Sequence, residues 1–178
     1  MQACLQKIKL LALDVDGVLT DGTINISGSG ELFKGFNAKD GLGISCALRS
    51  GIHVAIITGR KSDIIHRRAE ELGIKLLCEG VHDKNAALKK LTADLGLGQE
   101  NAAYIGDDLN DLPAFAAAGV SFAPHDGAEE VAAAADVQLK ADGGRGAVRE
   151  AVKMILTAQG KWDGIVASYK ACGQGDRQ

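Results

Sequence analysis

Short apolar runs alternate with stretches of helical periodicity along most of the chain. Leu10–Val15 is an apolar run that ends in carboxylates and reads as a strand buried on both faces. Thr23–Ile26 and Leu32–Asn37 flank the Gly/Ser turn "SGSGE" and predict a hairpin over about residues 23–37. Asp40–Arg49 predicts a helix, with Asp40 as its cap and Gly51 as its stop. Val54–Ile57 is a β-branched strand. Ser62–Leu72 predicts a helix capped by Ser62 and ended by Gly73, and Lys75–Cys78 a short strand. The same alternation continues through a helix at Lys84–Leu95, a strand at Ala102–Ile105, a helix at Leu109–Ala117 and a strand at Val120–Phe122. It ends with a short helix at Ala128–Ala134, a strand at Val137–Leu139 and a helix at Gly146–Ala158. Residues 161–178 predict a flexible tail, in which Trp162 and Tyr169 are available to dock.

Regular β–α alternation predicts an α/β fold, a doubly wound parallel sheet with helices on both faces. No repeat or linker interrupts it, so residues 1–160 form one domain carrying a small hairpin. In such sheets ligands bind beyond the carboxyl ends of the strands. Polar groups collect at those ends. Asp14 and Asp16 follow the first strand, and Thr58-Gly59-Arg60 follow the strand ending at Ile57. Gly106-Asp107-Asp108 and Asp111 follow the strand ending at Ile105, while Lys84 opens a helix.

Composition narrows the classes. The 178 residues are 46% apolar and 4% aromatic, with 23 Gly and 2 Pro, so the core is built from Ala, Leu, Ile and Val and many turns are tight. A net charge of −3 lacks the basic footprint of a nucleic-acid binder. No apolar run approaches the ~20 residues that span a bilayer. The N-terminal apolar run leads into acids rather than a cleavage site, which argues against a signal peptide. Cys4, Cys46, Cys78 and Cys172 are scattered without metal or redox spacing, and predict reduced thiols in a cytoplasmic protein. His53, His66, His82 and His125 share no spacing and read as structural.

The clustered acids need a reason. Two unit charges 4 Å apart repel by about 4 kcal/mol at an effective dielectric near 20. A divalent cation removes that penalty, and Mg²⁺ prefers carboxylate, carbonyl, water and phosphate oxygens. Asp14, at the strand tip, is placed to act as a nucleophile toward phosphorus. Asp16 is placed to serve as general acid and then base. Thr58 offers a hydroxyl and a backbone N–H to phosphoryl oxygens, and Lys84 a positive charge, which is what phosphoryl transfer requires. In "GDDLND" three acids exceed what helix capping needs, which favours support of a metal. Arg60, beside the phosphate site, reads as a substrate contact.

"DVDGVLTDG", "ITGR", Lys84 in "HDK" and "GDDLND" stand in the order of the four motifs of the haloacid-dehalogenase superfamily, which the chain resembles over nearly its whole length. "DVDGVLTDG", "FNAKDGLGI", "TGRKS", "RRAEELGI" and "GGRGAVRE" are similar to its phosphatases of eight- and nine-carbon 3-deoxy-ketosugar acids. "EGVHDK" departs from the Gln/Gly-rich form of the third motif. The resemblance implies Asp14 as nucleophile and Mg²⁺ ligand, Asp16 as acid/base and ligand through its backbone carbonyl, and Asp107 as ligand. It implies Thr58, Gly59 and Lys84 as phosphate binders, Asp108 and Asp111 as supports, and Arg60, Arg68 and Arg145 as substrate contacts. The expected reaction is hydrolysis of 3-deoxy-D-manno-octulosonate 8-phosphate, a lipopolysaccharide precursor, through an aspartyl-phosphate. A nine-carbon 9-phosphate is the alternative, and Arg60 favours the eight-carbon acid.

The segments between Asp16, Thr58 and Lys84 are too short for a cap domain, yet an open site would leave the intermediate wet. The apolar 23–37 hairpin cannot be stable alone. It is therefore expected to pair between subunits, and the resemblance implies a homotetramer whose neighbours cover each site. A phospho-receiver domain is the non-enzyme alternative. It would place its phosphorylated Asp on a middle strand, whereas here the candidate nucleophile comes first.

Overall fold

The computed structural model describes residues 1–172. After a short helix α1 (Gln2–Leu5), β1 (Leu10–Leu13) is followed by a hairpin of β2 (Asn25–Ser27) and β3 (Gly30–Phe33). Then come α2 (Ala38–Arg49), β4 (His53–Ile57), α3 (Asp63–Leu72), β5 (Leu76–Cys78), α4 (Lys84–Asp94) and β6 (Ala102–Ile105). A 3₁₀ turn (Leu109–Asp111) and α5 (Leu112–Phe115) precede β7 (Val120–Ala123). The remaining elements are α6 (Glu129–Ala134), β8 (Val137–Gln138), α7 (Ala147–Ala158) and α8 (Trp162–Cys172).

Six strands form one parallel sheet in the order β5-β4-β1-β6-β7-β8. β1 sits where the order reverses, with Leu11 opposite Val54 on one side and Ala103 on the other. That switch point is where such sheets open a crevice. Strand alternation sorts the core into two layers. Leu11 and Leu13 pack with Ile44, Val148, Val152 and Ile155 of α2 and α7. Leu10 and Ala12 pack with Leu88 and Leu91 of α4 and Ala114 of α5. Both faces are covered, so β1 is apolar throughout.

Helix ends follow local chemistry in part. Ser62 caps α3, its Oγ accepting from Ile65 N at 3.4 Å, and Gly73 closes it in the left-handed region at φ 73°. Asp40 does not cap α2. Asn37 does so, through Lys39 N at 2.8 Å. Asp40 is buried one turn in, and its carboxylate accepts from Gly146 N (3.1 Å) and Arg149 N (2.8 Å) at the start of α7. The helix it caps lies more than a hundred residues away, beyond the reach of local pattern. Burial raises the Asp40 carboxyl above its ordinary value, against the opposing pull of these N–H donors.

Two further expectations change. The stretch expected as one helix from Leu109 to Ala117 is a 3₁₀ turn followed by a four-residue helix, with Pro113 near its start. The expected flexible tail is helical over Trp162–Cys172. Trp162 packs against the core under the Arg149 guanidinium, 4.8 Å from its ring centroid, and Lys161 Nζ reaches Ser50 O at 2.9 Å. The expectation for 173–178 lies outside the described residues.

Asp40→Ala removes the acceptor for two backbone donors at the head of α7 and is expected to lower unfolding free energy by about 2 kcal/mol. Urea denaturation reads this as a lower midpoint at unchanged slope, with Asp40→Asn falling between it and the wild type.

Candidate active site

Along β1 the side chains of Leu10, Ala12 and Asp14 share a face, so Asp14 points toward α4. Asp14 remains bonded to the sheet through its N–H to Ile105 O at 3.0 Å. Asp83 caps α4, accepting from Ala86 N at 2.9 Å, which makes Lys84 the first helical residue. Lys84 is 2% exposed, and its Nζ lies 3.0 Å from Asp14 Oδ2 and 2.6 Å from Asp111 Oδ1.

Asp111 is fully committed. Its Oδ1 accepts from Lys84 and from the buried Tyr104 hydroxyl at 2.7 Å, and its Oδ2 accepts from Asp107 N (3.0 Å) and Asp108 N (3.3 Å). Those four donors match the roughly four lone-pair sites of a carboxylate. The Asp111 side chain fits this close to the backbone because residue 106 is glycine, where a Cβ would overlap it. Asp108 turns its carboxylate to Leu109 N at 2.7 Å and caps the 3₁₀ turn, so its support of Asp111 comes from its backbone.

Asp107 differs. Its Oδ1 is buried and has no hydrogen-bond partner. Carboxylate oxygens of Asp14, Asp107 and Asp111 lie within 4.8 Å of one another. With the Asp111 oxygens filled by donors, Asp14 and Asp107 are the side chains left to hold a cation, and a buried unpartnered carboxylate oxygen is the chemistry a divalent ion satisfies. Gly17 (φ 86°) is needed here, since a Cβ at that position would overlap the Asp107 carboxylate.

Asp14, Asp16, Thr58, Gly59, Arg60, Asp107 and Asp108 line one cleft of about 270 Å³, together with Gly22, Ile24 and Asn110. Thr58 is buried at its floor, and its Oγ1 accepts from Arg60 N at 3.3 Å. Asp16 Oδ2 lies 3.8 Å from the half-exposed Arg60 Nε. The loop carrying Asp16 is tied by Thr20, whose Oγ1 accepts from Gly22 N at 3.2 Å. The "GGRG" segment backs this loop, with Gly144 N donating to Val18 O at 2.9 Å. Arg145, at its tip, lies 3.7 Å from Asp21 and outside the cleft lining. Arg68 is also outside the cleft of its own chain. It pairs with Glu71 at 2.8 Å and lies over the Phe36 ring, because its place on α3 turns it toward α2.

Lys34, Glu31 and Tyr104 escaped the sequence reading. Lys34 Nζ meets Asp16 Oδ1 at 2.5 Å and Glu31 Oε1 at 3.0 Å. The signal for it was a lone lysine among apolar residues in "LFKGF". A tyrosine inside a buried strand signals a required hydroxyl partner.

Burial, the Asp111 charge and the partial relief from Lys84 leave the Asp14 carboxyl raised to about 7. Burial followed by Asp14, Asp111 and Asp108 raises Asp107 to about 7 as well. Burial alone would lower Lys84, but Asp14 and Asp111 outweigh it and its affinity for the proton rises.

A family model for haloacid dehalogenase-like hydrolases matches residues 77–151. The 3-deoxy-D-manno-octulosonate 8-phosphate phosphatase of Haemophilus influenzae is 46% identical over 180 residues, 98% of this chain and 100% of that protein. A crystal structure of the enzyme of that name from Moraxella catarrhalis, in complex with magnesium ion, phosphate ion and KDO, is 44% identical with a TM-score of 0.92. It covers 94% of this chain and 97% of that one. The cobalt-bound Haemophilus influenzae phosphatase is 48% identical with a TM-score of 0.88, covering 89% and 93%.

The raised carboxyls set a pH test. Asp14 and Asp107 bind protons more tightly folded than unfolded, so their contribution to stability is lost as pH rises from about 4 through about 7. A cation binds the deprotonated pair and reverses the loss. The gain in melting temperature on replacing EDTA with excess Mg²⁺ is expected to be small at pH 5 and to grow through pH 7. A gain independent of pH would contradict this.

Proposed function

The chain belongs to the haloacid dehalogenase-like hydrolases, in the branch of the 3-deoxy-D-manno-octulosonate 8-phosphate phosphatases, and we propose that it hydrolyses that sugar phosphate to the free sugar acid and inorganic phosphate. The observation that carries the reading is the Asp14 carboxylate, buried at the sheet switch point between Lys84 and the unpartnered Asp107 oxygen. It stands in a chain 46% identical, end to end, to a phosphatase of that name.

The chemistry follows from the groups in the cleft. A carboxylate oxygen of Asp14 attacks phosphorus, the bond from phosphorus to the sugar oxygen breaks, and Asp16 gives that oxygen a proton. In the second step Asp16 takes a proton from water, the water oxygen attacks phosphorus, and the bond to Asp14 breaks. Phosphate leaves and Asp14 is restored. Lys84 holds Asp14 in place and supplies positive charge, while Thr58 and the backbone N–H groups beside Gly59 offer donors to the phosphoryl oxygens. Asp14, Asp107 and the Asp16 carbonyl would hold Mg²⁺. When bound, the ion neutralises negative charge on the phosphoryl oxygens. Arg60, half exposed over the cleft, is suited to a sugar-acid carboxylate.

A homotetramer in the cytoplasm completes the reading. Ile24, Ile26, Leu32 and Phe33 expose 41–64% of their surface on a two-stranded ribbon that lacks a third strand. Pairing of hairpins between subunits would bury these side chains and let a neighbour cover the cleft, with Arg68 and Arg145 available to an adjoining site. No helix among the described residues is long and apolar enough to cross a membrane.

Phosphate release is expected from octulosonate 8-phosphate in Mg²⁺ and not in EDTA, with nine-carbon 9-phosphates turned over more slowly. Asp14→Asn is expected to lose roughly a thousandfold or more in kcat while remaining folded, since Lys84 keeps its bond to Asp111. Retained activity would refute the assignment of the nucleophile. Separately, Phe33→Asp with Ile26→Asp is expected to shift the sedimenting species from tetramer toward monomer and to reduce activity. A fully active monomer would remove the tetramer reading.

A further inference from the structure

Lys34 takes no part in the two chemical steps, yet its side chain is 3% exposed. Its ammonium lies between Asp16 Oδ1 and Glu31 Oε1, at 2.5 and 3.0 Å, so two carboxylates already occupy it and little is left for a substrate group. Glu31 in turn accepts from Ser62 Oγ. Ser62 begins α3, directly after the Thr58-Gly59-Arg60 loop. The β3 side of the hairpin is thus bonded to both loops of the cleft. Lys34 holds the loop after β1, which carries the acid, and Glu31 holds the loop after β4, which carries the phosphate-binding threonine.

We propose that Lys34 is a positioning residue for the acid/base step, so that seating of the hairpin sets the aim of Asp16. The contact is made to Oδ1, which leaves Oδ2 on the Arg60 side, in the cleft. Asp16 stands three residues beyond the end of β1, next to a glycine in the left-handed region, and its named side-chain partners come from the hairpin and the loop after β4. An ångström of misplacement at a proton-transferring group is enough to lose much of its contribution. Lys34 acts through Asp16 on the bond between phosphorus and the leaving oxygen: as that bond breaks, the proton passes from Asp16 to the oxygen. Ionic attachment through the hairpin would also make catalysis sensitive to whatever the exposed face of the hairpin packs against. The inference rests on the phosphatase reading.

Leaving-group dependence separates this role from general support of the fold. An alkyl or sugar oxygen needs a proton to depart, whereas p-nitrophenolate leaves as the anion. Lys34→Met is expected to lower kcat about 10- to 100-fold on octulosonate 8-phosphate and on a simple alkyl phosphate, with KM held within about threefold. On p-nitrophenyl phosphate the loss in kcat/KM, which reports only the step that breaks the leaving-group bond, is expected to stay under about threefold, because the water-activating role of Asp16 in the second step is common to every ester. Lys34→Arg should restore most of the lost rate, and Glu31→Gln, which loosens Lys34 without removing it, should show a smaller loss of the same selectivity. Equal losses in kcat/KM on both kinds of ester, or a raised KM at unchanged kcat, would overturn the proposal. A wild-type enzyme active on the simple esters but not on octulosonate 8-phosphate would remove the substrate reading and leave the leaving-group comparison intact.

Discussion

Everything at the cleft depends on one buried lysine shared by two carboxylates. Lys84 is held between Asp14 and Asp111 where almost no water reaches any of the three. Removing the lysine would leave two buried carboxylates uncompensated, and breaking a buried ion pair in this way costs about 3–5 kcal/mol. The arrangement is tolerable because Asp111 has every oxygen site filled, by Lys84, Tyr104 and two backbone donors. A negative charge satisfied in this way becomes a fixed part of the scaffold. The charge left unbalanced is confined to Asp14 and Asp107, the pair whose carboxyls are pushed up to about 7. Stored repulsion at that point is what a cation and a phosphoryl group can exploit.

Backbone proximity makes the cluster possible. Gly17 lets the Asp107 carboxylate approach the loop after β1, and Gly106 lets Asp111 fold back under it. Gly143 and Gly144 let the segment before α7 press directly onto residues 17–21, so the acid loop is backed by main chain rather than side chains. α7 is then fixed to α2 by Asp40. A continuous set of short contacts therefore runs from the helical layer of α2 and α7 to the loop after β1.

The hairpin follows the loop that carries Asp16, and Ile24 just before its first strand lines the cleft. The hairpin presents apolar residues outward and two charged residues inward, toward the loops that line the cleft. Ion pairs formed by its inner residues are nearly shielded on the lysine side and more open on the acid side, with 3% and 21% exposure for Lys34 and Asp16. That asymmetry suits a contact that restrains a carboxylate without withdrawing it from the cleft.

Periodicity and turn residues determined the parallel α/β sheet, the position of the hairpin and the strand ends at which Asp14, Asp16, Thr58 and Asp107 gather. Strand alternation and strand-end chemistry are local, and a local code suffices to read them. The spacing of "GDDLND" announced a special cluster but not its division of labour: Asp107 keeps a buried oxygen without a partner, Asp108 caps a turn and Asp111 is saturated. Only the fold decided that division, because it depends on which donors from α4 and β6 arrive from elsewhere in the chain. The same holds for Asp40, which serves a distant helix, for α8, which Trp162 anchors, and for Lys34, whose partner lies eighteen positions earlier. Side chains whose role is set by neighbours in space leave no period in the sequence.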